Sequence, residues 1–329
     1  MSPSLSRRQV LTLTAAAATV GLGAALGLRP APRPVRWNGQ IMGATASITL
    51  YDRDADHAKA IIRACLDEVE RLEGIFSLLR PDSDVSRLNR KGRLDGVTSE
   101  LKEVLARANH ISAVSAGAFD VSVQALWTLY SGYFSTQGKD APGPSQDAVA
   151  AARSSVGWQD IHTQGDTIRL GRPGQGLTFN SIARGYATDR VGQILRAQGM
   201  DHVLIDLDNY LAIGPRPDGK PWAIGMADPL APQSILQVLE VKSQAVASAG
   251  GYGTVFDTTG RFHHIFDPHT GGCANRWAGA TVVAQTATIA DALSTAVLVA
   301  PKDRTAQILK DAGGERAYLV DFDGRVTVV

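Results

Sequence analysis

ATVVAQTATIADALSTAVLVA, residues 280–300, holds the two elements whose reading decides the fold. Its first five residues form a short apolar run of strand length, and Gln285 and Thr286 interrupt it. From 287 to 300 the chain is an Ala, Leu and Val helix carrying one acid, Asp291. Further strand candidates stand at VLIDL 203–207, WAIGM 222–226 and ILQVLEV 235–241, with helices at about 181–198 and 303–312 separating some of them. Strand clusters broken by helices, without strict alternation, predict an α+β fold with mixed or antiparallel sheets and packed helices. There is no fixed-period repeat, no Walker phosphate loop and no dinucleotide fingerprint, so any nucleotide is held by another device.

The first half of the chain carries similar punctuation. From Trp37 to Tyr51, Thr45, Ser47 and Thr49 alternate with Ala46, Ile48 and Leu50, which is the period of a half-buried strand, and Met42-Gly43 precede that alternation. Ile62, Leu66, Val69, Leu72 and Phe76 recur at helical spacing within 55–76. The stretch after Phe76 is polar and turn-rich, 99–115 reads as helix, 117–130 is aromatic and apolar around Asp120, and 135–147 reads as a loop.

A chain of 329 residues with 44% hydrophobic content buries a substantial core. Net charge is +1 with acids and bases interspersed, so no basic surface exists to neutralise phosphates and nucleic acid is not expected as a partner. Cys65 and Cys273 match no thiolate metal-site spacing; Cys65 falls on an apolar helical stripe and reads as a buried inert thiol, with a disulfide to Cys273 as the unsupported alternative. Arg7-Arg8 followed by an uncharged stretch from Gln9 to Leu28 resembles a twin-arginine export signal, and a Pro-rich linker ends near residue 34. This divides the chain into a signal segment and linker, 1–34, and a single domain, 35–329, expected in the periplasm. A retained N-terminal membrane anchor is the alternative, because the run is nearly long enough to cross a bilayer and shows no sharp cleavage site.

Three constellations carry chemistry. Asp291 and Thr295, four apart on a helix, put two oxygens on one side, a place for a hard cation; the competing reading makes Thr288 the helix cap and Asp291 its capping-box partner. In TFNSIARGYATDRV, 178–191, Asn180 or Ser181 can cap a helix whose amides meet phosphate oxygens, Arg184 adds charge, and Gly185 in the first turn points to a close backbone approach. The alternative there is a plain sheet-packing helix. In GRFHHIFDPHTGG, 260–272, adjacent strand residues face opposite sides, so only one of His263 and His264 can enter a site as a general base, beside Asp267 and Thr270.

These segments resemble the ApbE family of FAD:protein FMN transferases. The matching residues run in order along the mature chain: Met42-Gly43 with Thr45, Phe76-Ser77 through Arg87-Leu88-Asn89, Gly117-Ala118-Phe119-Asp120, Ile182 to Ala187 with Asp189, Asp206-Leu207, Gly214-Pro215, Ser248-x-Gly250, His264 to Gly271, and Ala290 to Leu293 with Thr295. FDVSVQALW, GYATDRV and GYGTVFDTTGRFHHIFDP are most similar to the branch associated with nitrous oxide respiration, the NosX-like proteins. The resemblance implies an ApbE-like fold and a Mg2+-dependent enzyme that cleaves FAD, attaches FMN through a phosphoester to a threonine or serine of a target flavoprotein, and releases AMP. For this branch the target is a membrane-bound, NosR-like protein. The resemblance further makes Asp291, Thr295 and the main-chain oxygen of Ala183 the metal ligands and His264 the base. It places Met42, Asn89, Asp120, Arg184, Ser248 and Asp267 around the flavin nucleotide. The sequence departs from the family at several points: Asp208-Asn209-Tyr210 stands where a glycine usually follows Asp-Leu, Ser181 replaces a glycine, Arg184 a common lysine and Ala249 a common serine. A carboxylate at 208 would repel a flavin phosphate, which keeps open an alternative: a periplasmic FAD-binding protein or maturation chaperone, or a FAD hydrolase, without transfer.

Overall fold

The computed structural model describes residues 32–329. The paired arginines and the apolar stretch after them lie outside the described residues. The domain starts with a hairpin, β1 (Arg33–Ile41) and β2 (Ala44–Asp52). Its loop is Met42-Gly43, with φ of 49° and 76°, and two consecutive positive φ values are what a tight two-residue hairpin requires. β1 begins inside the stretch read as linker, because Arg33 and Pro34 already pair with Asp52 and Tyr51.

The long helix α1 (Ala55–Phe76) follows, its first turn capped by Asp54, whose carboxylate accepts from the amides of Asp56 and His57 at 2.9 and 3.1 Å. Cys65 sits on its buried face with its thiol pushed up to about 12 by burial, and both cysteines are free thiols. α2 (Asp84–Lys91) lies within the stretch read as turn-rich; Ser83 caps it and Gly92, at φ 67°, ends it. β3 (Arg93–Asp95) leads to α3 (Ser99–Val114). α4 (Gln124–Gln137) runs into the region read as loop, which shortens to the turn before α5 (Gln146–Ser154). β4 (Ile161–Gln164) and β5 (Thr167–Leu170) form a small antiparallel sheet with β3.

In the second half come α6 (Ala183–Ala197), the hairpin β6 (Val203–Asp206) and β7 (Tyr210–Ile213), the hairpin β8 (Trp222–Ala227) and β9 (Ile235–Val241), and β10 (Ala245–Gly250). β11 (Gly279–Ala284), α7 (Ala287–Val299), α8 (Thr305–Asp311), β12 (Gly314–Val320) and β13 (Val326–Val328) complete the chain. The strand order of the main sheet is β1-β2-β6-β7-β10-β11-β12-β13, with every neighbouring pair antiparallel. The α+β expectation is met.

Alternation along the strands assigns the two faces of this sheet. Ile48, Leu50, Ile205 and Val282 join the main core with Leu72, Leu195, Leu293 and Val297 of α1, α6 and α7. Val246 and Val283, one residue out of phase, point to the opposite face, where Trp222, Ile224, Met226 and Leu239 of the β8–β9 hairpin cover them. A third cluster, Leu126, Tyr130, Phe134, Phe256 and Phe266, stacks α4 against the long loop between β10 and β11. That aromatic packing fixes the loop that carries His264.

Candidate active site

The site is built where α6 meets α7. The cap of α7 is Thr286, whose hydroxyl accepts from the Ile289 amide, and not Thr288. Thr288 instead donates through its amide and hydroxyl to Asp189 Oδ2 at 2.9 and 2.5 Å, while the Ala287 amide reaches Asp189 Oδ1 at 2.8 Å. A carboxylate at a helix N-terminus is a stronger acceptor than a threonine hydroxyl, so α6 adds a second cap to α7 beside Thr286. The capping-box reading of Thr288 and Asp291 is thereby overturned, and Asp291 is released to face the other way.

Asp291 Oδ2 accepts from the Gly185 amide at 2.9 Å. Gly185 is the close approach the sequence predicted, but toward α7: a Cβ there would stand 2.3 Å from the Ala287 carbonyl oxygen and 2.8 Å from Asp291 Cβ. Asn180 and Ser181 do not cap α6. Its cap position is Ile182 without a side-chain bond, and the Ile182 and Ala183 amides turn back to Phe179 O. Asn180 and Ser181 line the neighbouring cavity instead.

That cavity measures about 610 Å³ and gathers Asp291 and Thr295 from α7, Arg184 from α6, Asp208 from the β6–β7 turn, Ser248 from β10, and His264. Burial pushes the Asp291 carboxyl up to about 7, against the lowering effects of the Gly185 amide and the Arg184 guanidinium. Arg184 is itself engaged, donating to Asp208 Oδ2 at 2.5 Å. Asp208 has a φ of 73°, a conformation suited to the glycine it replaces.

His264 lies in a loop tied by isolated bridges, Val255 with His263 and Phe266 with Cys273, rather than in a full strand. The expected division of labour holds. His263 is buried, with Nε2 3.2 Å from Asn275 Oδ1, and His264 lines the cavity. His264 Nδ1 is 3.2 Å from both the amide nitrogen and the carbonyl oxygen of Thr254. The second contact, with Nδ1 donating, leaves Nε2 bare as a proton acceptor. Burial holds the imidazole well down, at about 4, so it is neutral near pH 7.

The remaining residues predicted for the site have other work. Asn89 clamps Leu177, giving Nδ2–H to its carbonyl at 2.8 Å and accepting its amide at 2.7 Å. Asp120 is buried and accepts from the Ser122 amide, the Ser122 hydroxyl and the Trp158 amide. Asp267 orders its own turn, accepting from the His269 amide at 2.9 Å. Met42 packs on the core beside Glu73, which accepts its amide at 2.8 Å, while Gly43 and Ala44 reach the cavity. Ala183 is buried in the first turn of α6 beside the lining residue Arg184. Asn209, Trp127 and Tyr252 also line the cavity. No spacing marked Asn209 or Tyr252, and Trp127 sits on α4, a helix the apolar pattern did not disclose.

A cation has suitable company here. Among the described residues no group of three or more His, Cys, Asp or Glu forms a metal cluster, so the donor set is mixed. The protein donors that face the cavity are the buried Asp291 carboxylate and the Thr295 hydroxyl, with the carboxylates of Asp206 and Asp208 nearby. Hard oxygens with incomplete protein coordination suit Mg2+.

A family model described as the ApbE family matches residues 42–319. The chain is 27% identical over 277 residues to a protein of Vibrio cholerae serotype O1 named FAD:protein FMN transferase, covering 82% of each. It is 28% identical over 311 residues to a Treponema pallidum protein of the same name, covering 87% of this chain and 84% of that one. Among solved structures, the apo form of the Pseudomonas stutzeri flavinyl transferase ApbE superposes with a TM-score of 0.75 at 28% identity, covering 91% of this chain and 94% of that chain. The ApbE protein of Thermotoga maritima superposes with a TM-score of 0.77 at 26% identity, covering 90% and 96%.

Proposed function

The chain belongs to the ApbE family, and from that membership we propose that it is an FAD:protein FMN transferase, moving FMN from FAD to a threonine or serine of a target flavoprotein. The observation that carries this reading is the convergence of Arg184, His264, Asp291 and Thr295 on one cavity from three separate segments. Phosphoryl transfer asks chiefly for positioning and charge stabilisation, and these residues provide both. Mg2+ held by Asp291 and Thr295, with the Ala183 carbonyl oxygen as a further donor, supplies neutralisation of the pyrophosphate charge when bound.

His264 Nε2 takes the proton of the acceptor hydroxyl. The hydroxyl oxygen bonds to the phosphorus on the riboflavin side, and the bond from that phosphorus to the bridging oxygen breaks, its electron pair leaving with AMP. Gly185 fixes the Asp291 carboxylate from behind, so one oxygen keeps its orientation while the other faces the reacting phosphates.

The segment before residue 32 supports an exported, periplasmic enzyme of the twin-arginine route, and the motif wording supports the NosX-like branch with a NosR-like membrane protein as acceptor. Among the described residues no helix is long and apolar enough to cross a membrane.

A second reading has one observation in its favour. Asp208 ties up Arg184 inside the cavity, as expected of a FAD holder or hydrolase that no longer transfers. The deciding test incubates the protein with FAD, Mg2+ and a threonine-bearing acceptor domain, following AMP release and the acceptor's mass. An FMN mass increment with equimolar AMP, lost in Asp291→Ala, is the expected result. AMP without labelling would make the protein a hydrolase, and intact bound FAD a holder.

A further inference from the structure

The β6–β7 turn holds a polar group that nothing above uses. Asn209 is 4% exposed and lines the cavity, and its Nδ2 has no hydrogen-bond partner. The turn itself explains the placement. Asp206 pairs with Tyr210 across the hairpin, the Leu207 amide donates to Asn209 O at 3.1 Å, and the Asp208 amide donates to Asp206 Oδ1 at 3.1 Å. These bonds, with Asp208 at φ 73°, set the Asp208 side chain against Arg184 at the cavity and bury that of Asn209. The inward amide leans toward the Asp291 carboxylate and favours its charged form, but its Nδ2 meets no protein acceptor in hydrogen-bond geometry.

A buried N–H donor left unpaired costs free energy that an arriving acceptor recovers. The acceptor that comes to Asp291 in this family's chemistry is a phosphate oxygen. We propose that Asn209 is a diphosphate-binding residue, donating through Nδ2 to the phosphates of the bound dinucleotide beside the Asp208-paired Arg184. The inference rests on the flavin-transferase reading and deepens it. It follows that the pocket discriminates by phosphate, because riboflavin brings no anionic phosphate oxygen to Asn209.

The test is equilibrium binding by flavin fluorescence with no acceptor protein present, using FAD and riboflavin against the wild-type protein, Asn209→Leu and Asn209→Asp, with thermal melts of the ligand-free forms. Asn209→Leu should weaken FAD about tenfold, the worth of a hydrogen bond to a charged group, and leave riboflavin unchanged. Asn209→Asp should weaken FAD further, since it sets a second carboxylate beside the phosphates. Ligand-free Asn209→Leu should melt close to the wild type, because Nδ2 makes no protein hydrogen bond of regular geometry. FAD binding unchanged in both variants, or equal losses for FAD and riboflavin, would overturn the proposal. A wild-type protein that binds neither flavin would overturn the transferase reading and this inference with it, and the two failures are therefore distinguishable.

Discussion

Asp291 Oδ2 and the Gly185 amide are 2.9 Å apart, so the carboxylate that faces the cavity is carried by α7 and oriented by the backbone of α6. The position of this buried acid thus depends on how closely two helices approach. Everything that sets that approach also sets the chemistry.

Gly185→Ala is the direct probe. In an exposed helix the change would gain about 1 kcal/mol of helix propensity. Here the added Cβ meets the Ala287 carbonyl oxygen at 2.3 Å and its carbon at 2.6 Å, which are backbone atoms that cannot rotate away. Overpacking of this kind costs about 1–3 kcal/mol or more, so the steric effect wins. Urea denaturation should show a net loss of about 1–2 kcal/mol, and FMN transfer should fall at least tenfold as Asp291 shifts. An unchanged or raised midpoint would show that the helices separate freely.

Asp189→Ala removes the acceptor that caps α7 from α6. Three donors, the Ala287 and Thr288 amides and the Thr288 hydroxyl, lose their partner together. Charge-assisted bonds and helix caps of this sort together contribute about 2–4 kcal/mol. Denaturation midpoints should drop accordingly, and the conservative Asp189→Asn should recover part of the loss. If Ala and Asn behave alike and cost under about 0.5 kcal/mol, the cap is Thr286 alone.

Much of this arrangement was legible in the sequence. The helices at 55–76 and 287–300 and the strands at 203–207, 222–226, 235–241 and 280–284 emerged because their apolar periods match burial on one or both faces. β10 was not legible, since AVASAG has small residues where the core leaves little room, nor was α4, whose aromatics pack on the loop around Phe256 and Phe266 rather than in a single stripe. Asp291, Thr295, His264 and Arg184, singled out from residue type, spacing and resemblance, line one cavity. What spacing alone did not supply was partnership: Asn89, Asp120 and Asp267 bear functional chemistry but spend it on backbone amides, and Asn209 became visible only once the turn beside Asp208 had a conformation.

His264 makes stability depend on pH in a definite direction. Its folded value is held near 4, chiefly by burial, against about 6.5 in an unfolded chain. Above pH 6.5 neither state is protonated at this group. As pH falls from 6.5 toward 4 the unfolded chain takes up a proton that the folded one refuses, so stability declines across that window and levels off below it. Urea melts at pH 7, 5.5 and 4.5 should show this decline reduced in His264→Asn relative to the wild type. The same low value predicts that the acid limb of kcat/KM, so far as His264 sets it, falls near 4 rather than 6.5. A limb centred at 6.5, together with equal pH slopes for the two proteins, would place the imidazole in solvent.

Asp208→Gly separates the two functional readings. Three effects on stability oppose one another. Glycine relieves the left-handed strain at φ 73°, roughly 1 kcal/mol, but loses an ion pair with both side chains partly exposed, worth about 0–1 kcal/mol, and adds freedom to the unfolded chain. Stability should therefore stay within about 0.5–1 kcal/mol of the wild type. Affinity has no such cancellation: the change removes a negative charge from the cavity and frees Arg184, so FAD should bind about three- to tenfold more tightly. Asp208→Asn keeps a residue that tolerates positive φ while removing the charge, and a matching gain there assigns the effect to charge rather than strain. If the wild-type protein transfers FMN and Asp208→Gly only tightens FAD, the Asp208–Arg184 pair tunes a working enzyme. If transfer is seen only after Asp208→Gly, the carboxylate is what converts a transferase site into a flavin holder. If neither substitution moves the dissociation constant for FAD, Arg184 does not meet the phosphates, and the ion pair it makes with Asp208 belongs to the architecture of the β6–β7 turn.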